Sequence, residues 1–262
     1  MIFVKSEDLK YGMRLAKPIY NKTGVLLYER NTRLTLQGIE SVKTFGLLGL
    51  YILEPAEPVP PMTEEDLDFE RFQTMAVFSI REELDNIIAG REPVNLKRLA
   101  NAIITNYGRL DHKITFTQNL RSTTDYVYKH VINTAILCAL ISAQVYYTPT
   151  EQEELVLAAL LHDIGKLLLP NKVREKYDDY DTNDLIIVKK IQNDGLGLLR
   201  PEIGIDSGVR RIVAQIHRME YGNSNLEQGK ILKSTKILKV ANLFDTMTCM
   251  KISEEAISEI AA

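Results

Sequence analysis

The chain has 262 residues, is 45% hydrophobic and 26% charged, and carries a formal net charge of −3. That is the make-up of an ordinary globular protein, long enough for one large domain or for a medium domain plus a small one. The faintly acidic balance gives no electrostatic case for a nucleic-acid partner, which shows as a basic patch or domain. No apolar run approaches the roughly 20 residues needed to span a bilayer. The start, "MIFVKSEDLKYG", has neither the basic opening nor the apolar stretch of a signal peptide. Cys138 and Cys249 sit in separate apolar helical patterns and read as buried thiols, which places the protein in a reducing cytoplasm.

Residues 1–54 alternate short β-like runs with turn residues: "RLAKPIY", then Asn21 to Gly24, then "GVLLY". The stretch "TLQGIESVKTFG" follows with Ile39, Val42 and Phe45 at helical spacing, and "LGLYILEP" reads as one more strand. This predicts a small α+β module. The stretch "PAEPVPPM", 55–62, carries four prolines in eight residues. Proline removes backbone donors and fixes φ, so 55–62 is read as a linker. Thr63, with Asp66 three residues on, has the pattern of a capping box opening a helix.

From 63 to 262 nearly every stretch has helical periodicity. In "FERFQTMAVFSIREELDNIIAG" the residues Phe72, Met75, Phe78, Leu84, Ile87 and Ile88 are predicted to share a face. The expected fold is therefore mainly α, a helical body preceded by the α+β module.

The chain has four histidines, His112, His130, His162 and His217. The last three lie in three separate helical stretches that are otherwise apolar. A lone histidine on an apolar helix face is ordinarily a hydrogen-bonded core residue. His162 is different, because "LVLAALLHDIGKLLLP" (155–170) breaks off at His162-Asp163 and resumes after Lys166. A buried carboxylate is costly unless a positive group compensates it, and a divalent metal would do so with the imidazole as a second ligand.

These residues carry a family resemblance. "HDIGKLLLP" resembles the signature of the HD superfamily of metal-dependent phosphohydrolases, and more narrowly its HD-GYP branch, whose active members hydrolyse cyclic di-GMP. "TDYVYKHVINTAILCALI" is similar to the branch's first-histidine helix, and "ILKVANLFDTMT" to its late helix. The resemblance spans about 123–260 and implies a helical HD-type domain over 63–262. It implies His130, His162 and Asp163 as metal ligands, with His217 and Asn242 at two further ligand positions, and Lys166 near the scissile phosphate. Asp163 and Lys166 are thus the candidate catalytic residues.

The pattern is incomplete. The branch's next histidine falls on Ile191, with Gly195 four residues on. Its paired histidines and glutamate fall on Ile216, His217 and Arg218. The Gly-Tyr-Pro tripeptide falls on Ser224-Asn225-Leu226, and the final aspartate ligand on Asn242, with Asp245 one turn later. A two-metal hydrolase clamps the attacking and leaving oxygens between ions roughly 3.5–4 Å apart. Isoleucine donates no lone pair, so the expected cofactor is one divalent ion or none, with Mn, Fe, Zn and Mg all compatible with an imidazole/carboxylate set.

Two readings follow. One is a degenerate HD-GYP-like domain, impaired as a cyclic di-GMP phosphodiesterase and acting in nucleotide signalling or binding. The other is an active mononuclear phosphohydrolase on a nucleotide phosphoester. Expected partners are a cyclic dinucleotide or other nucleotide at the helical domain and a protein partner through the N-terminal module.

Overall fold

The computed structural model describes residues 1–45, 47, 49–109, 125–176, 180–222 and 231–249. Strands β1 (Ile2–Lys5), β2 (Arg14–Leu15) and β5 (Gly49–Leu53) form a sheet in the order β1-β5-β2. Both pairings are antiparallel, with Ile2 opposite Ile52 and Arg14 opposite Leu53. Strands β3 (Ile19–Tyr20) and β4 (Leu26–Tyr28) make a separate hairpin. Its turn is set by Asn21, whose Oδ1 accepts from the backbone N–H of Thr23 and Val25, both at 2.9 Å. Gly24 takes φ +78°, which glycine adopts without a Cβ penalty. Helix α1 (Leu36–Thr44) is capped by Thr35 and presses Ile39 and Val42 onto the sheet, where Leu15, Leu34 and Ile52 complete a small core. Residues 55–62 contain no helix or strand.

Helix α2 (Glu64–Ile88) opens with the capping box: Thr63 and Asp66 satisfy each other's backbone N–H groups. Its buried face differs from the sequence expectation. The face runs through Phe69, Gln73, Ala76, Ile80, Leu84 and Ile87, while Met75 is exposed and Phe72, Phe78 and Ile88 are only partly buried. Leu84 and Ile87 are common to the expected and observed faces, but the true stripe is rotated away from Met75.

Helices α3 (Leu96–Tyr107), α4 (Tyr126–Gln144) and α5 (Pro149–Leu161) follow. Helix α4 packs against α2, α3, α5 and α9 (Lys233–Thr248), and α5 packs against α3, α4, α8 (Ser207–Tyr221) and α9. Helix α4 and the second half of α5, Leu155–Leu161, are apolar on nearly every side, as helices at the centre of a bundle must be. By length and composition α4 also meets the requirement for crossing a membrane, but 72% of that window is buried inside the fold, as in a core helix.

After α5 the chain tightens into a 3-10 helix, Ile164–Leu168, followed by the single turn α6 (Asn171–Arg174). Helix α7 (Thr182–Leu198), a short 3-10 turn (Pro201–Ile203), α8 (Ser207–Tyr221) and α9 (Lys233–Thr248) complete the described chain. Helix α7 lies against the 3-10 helix at glycine-to-glycine distance: a Cβ on Gly195 would stand 2.6 Å from the Gly165 Cα. The fold is mainly α, with its strands confined to the N-terminal part.

Candidate metal centre

Helix α5 delivers His162 at its C-cap, and the break into the 3-10 helix puts Asp163 and Lys166 directly behind it. From α4, His130 reaches the same point. His130 Nε2 lies 3.5 Å from Asp163 Oδ2, and His162 Nε2 lies 3.7 Å from the same oxygen. One ligand atom from each of His130, His162 and Asp163 falls within 4.8 Å of the other two. All three residues are at most 1% exposed.

Both rings are oriented through their other nitrogen. Asp245 Oδ2, from α9, lies 2.6 Å from His130 Nδ1. His162 Nδ1 lies 2.7 Å from the Ala159 carbonyl oxygen. With Nδ1 donating in each case, Nε2 is left as the lone-pair atom facing the carboxylate, the arrangement typical of metal-bound histidine. His162 Nε2 is buried and has no hydrogen-bond partner among the described residues. Two imidazole nitrogens and a carboxylate oxygen converging in a buried position fit one divalent cation of the Mn, Fe, Zn or Mg kind.

Asp163 is compensated on both oxygens. Lys166 Nζ lies 2.8 Å from Oδ2, and Gln192 Nε2, from α7, donates to Oδ1 at 2.9 Å. Burial alone would raise the Asp163 pKa; the Lys166 ammonium, helped by His162 and His130, outweighs it and holds the carboxyl well below the usual range. For His162, burial lowers the pKa, and Asp163 opposes that shift. Its neutral, ligating form is therefore favoured.

The remaining sequence candidates sit at the margin of this cluster. His217 is buried, but its Nε2 lies 2.6 Å from the His162 carbonyl oxygen, so that nitrogen is a donor to backbone and braces the His162 turn. Its Nδ1 is buried without a hydrogen-bond partner among the described residues. Asn242 donates from Nδ2 to Glu220 Oε1 at 2.7 Å, and its Oδ1 lies 3.5 Å from Thr246 Oγ1. Ile191 packs beside Leu169, Val173, Tyr180, Val188 and Tyr221, while Ile216 is fully buried in the main core. The Ser224-Asn225-Leu226 position lies outside the described residues.

Two functional groups escape a reading of the sequence. Gln192 neighbours Ile191 and is 1% exposed, a buried amide on a helix whose exposed face carries Lys189, Lys190 and Asp194. Glu220, from α8, takes both Asn242 and Lys239, the latter at 3.0 Å, and its charge is felt at His162. Both stand among polar neighbours, Gln192 in "KKIQND" and Glu220 in "HRMEYG", so no signal in the sequence flags them.

No curated relative and no solved structure matches the chain. The model of the HD domain family matches residues 127–247, the stretch from α4 to α9 that carries His130, His162, Asp163, His217 and Asp245. Over that stretch the chain is similar to HD domains.

Proposed function

We propose that the helical domain is a one-cation HD-type site that binds a phosphate-bearing nucleotide, cyclic dinucleotides included, and is impaired as a cyclic di-GMP phosphodiesterase. The observation that carries this reading is the Gln192 amide on Asp163 Oδ1. A carboxylate that gives one oxygen to each of two ions needs both for metal, and here one is engaged by an N–H donor. Ile191 and Ile216, packed among apolar side chains, add no ligand on that side.

His130, His162 and Asp163 would hold the ion. When bound, a divalent cation supplies Lewis acidity toward a phosphoryl oxygen and makes water more acidic. Asp245 and the Ala159 carbonyl fix the two ring tautomers and so keep both Nε2 lone pairs on the ligand side. Lys166, beside the same carboxylate, is the group we assign to a phosphate oxygen. With one ion there is no second positive centre opposite it, so stabilisation of a transferring phosphoryl group is reduced.

The test pairs elemental analysis with turnover. The protein should retain at most one equivalent of metal through dialysis. It should hydrolyse cyclic di-GMP far below about 1 per second with Mn or Fe supplied, that figure lying at the low end of ordinary turnover. Two retained equivalents, or turnover at or above that rate, would overturn the proposal. The intact Lys166–Asp163 pair supports a second reading, an active mononuclear phosphohydrolase. Metal-dependent release of phosphate from a nucleotide monoester, with cyclic di-GMP untouched, would favour it.

A further inference from the structure

Helix α4, which carries His130, lacks the usual local means of holding its own start. Asp125 stands at the N-cap, yet its side chain accepts no backbone N–H of the first turn. A carboxylate in that place ordinarily caps the helix and keeps its end from fraying. Here it pairs with Lys129 one turn on, at 2.9 Å. Lys129 is itself poorly placed by local rules: an ammonium near the start of a helix meets the positive end of the macrodipole, and this residue is only 7% exposed.

The N-terminal module supplies what the helix lacks. Lys129 donates to Tyr51 Oη, from β5, at 2.7 Å. Tyr51 is anchored in turn: it pairs with Phe3 of β1 across the sheet, and the Phe3 ring meets its ring edge-on at 5.4 Å. The other end of the same helical turn is the metal centre. His130 follows Lys129 directly, and Tyr126, the first residue of α4, stacks on the His130 ring at 6.0 Å and 10°. His130 then meets Asp245 through Nδ1 and Asp163 through Nε2, both from other elements.

We infer that Tyr51 is a positioning residue for His130: by holding Lys129, strand β5 keeps the first turn of α4 wound and His130 aimed at Asp163. The inference rests on the proposed role of His130 as a metal ligand. A helix end without its cap opens at little cost, and opening there carries His130 away from partners that do not move with it. Tyr51 is 78 residues from Lys129 in sequence, so this hold exists only while the N-terminal strands sit on the helix. Anything that draws β5 from α4, a protein partner on the N-terminal module included, then lowers the affinity of the centre for its cation.

The test uses the full-length protein with Tyr51→Phe, which keeps the ring and removes the acceptor, and Tyr51→Leu, which removes both. The near-isosteric phenylalanine variant keeps the test open if the leucine variant does not fold. In the metal-free protein, amide hydrogen exchange from Lys129 to Asn133 should quicken about tenfold in Tyr51→Phe, the loss of one hydrogen bond to a charged group. Exchange in α8, from Val209 to Val213, should stay as in the wild type. The His130 ring resonances should shift in the same metal-free sample. The dissociation constant for Mn or Zn should rise by about 3- to 10-fold, the scale of effect for a residue coupled to a site it does not touch. Unchanged exchange at Lys129 to Asn133 with unchanged His130 resonances would overturn the inference. So would equal quickening in α4 and α8, which reports lost stability alone, or an unaltered metal affinity in a variant whose wild type binds metal. Local quickening and shifted His130 resonances in a protein whose wild type binds no metal would sustain the positioning role and defeat the one-cation reading instead.

Discussion

Gln192 donates its side-chain amide to Asp163 Oδ1 at 2.9 Å across the contact between α7 and the 3-10 helix. The bond aims the other oxygen, Oδ2, at His130 and His162. Gln192→Leu keeps the volume and removes the donor, leaving Asp163 Oδ1 buried and unmet at a cost of about 1–3 kcal/mol. Affinity for Mn or Zn should fall by about 10- to 100-fold, the usual effect of losing a group that orients a ligand. Calorimetric titration of folded variant and wild type checks this, and equal affinities would remove Gln192 from the centre.

Asp245 stands in the same relation to His130, with Oδ2 2.6 Å from Nδ1. Asp245→Asn can still accept through its amide oxygen but loses the charge that favours an Nδ1–H tautomer. If the amide nitrogen turns inward instead, His130 carries its proton on Nε2 and cannot ligate. Metal affinity should drop about 10- to 100-fold. An NMR measurement on labelled histidine should show a changed tautomer balance at His130 in the metal-free variant. An unchanged tautomer together with unchanged affinity would sink the assignment.

The sequence made His130, His162 and Asp163 legible because metal chemistry demands particular residue types, and a His-Asp pair ending an apolar run is costly to bury without a cation. Gln192 and Glu220 were not legible. An amide one position from an expected ligand, or a carboxylate two positions past one, looks like a surface residue until the helix phase is known. His217 was legible as a polar residue within an apolar helix, but only the fold shows that its Nε2 meets the His162 carbonyl. The α2 stripe was misread for a related reason. Phe72, Met75 and Phe78 form an i, i+3 row of large apolar residues, whereas the buried row includes Gln73 and Ala76, whose contribution to packing hydrophobicity does not advertise.

The closeness of α7 to the 3-10 helix makes Gly195 intolerant of a side chain. A Cβ there would stand 2.6 Å from the Gly165 Cα and 2.7 Å from its backbone nitrogen, and backbone cannot rotate away. Gly195→Ala should cost about 1–3 kcal/mol through overpacking and should also weaken metal binding, because it pushes Gln192 off Asp163. Gly197, two residues on in the same helix, has nothing within 4 Å of the equivalent point. Gly197→Ala should therefore stabilise by up to about 1 kcal/mol, the helix-propensity gain alone. Chemical denaturation of the two variants compares them directly. Equal and small effects would mean that the two backbones are farther apart than the structure has them.

The buried His162 sets a pH dependence for the metal-free protein. Burial lowers its pKa below the ordinary 6.5, so between the folded value and 6.5 the unfolded chain binds more protons than the folded one. Acidification through that window favours unfolding, by at most about 1.4 kcal/mol per pH unit for one proton. Asp163 does not contribute there. Its pKa is lowered, so its share of stability is complete above the unfolded value of 3.8 and is lost only at lower pH. Urea midpoints measured from about pH 5 to pH 7 should therefore fall with acidity in the wild type. In His162→Asn, which carries no titrating ring, the same plot should be flatter by up to that slope, whatever the variant's overall stability. Parallel plots would show that His162 is protonated as readily inside the fold as outside it, which a fully buried imidazole facing a metal-ready carboxylate should not be.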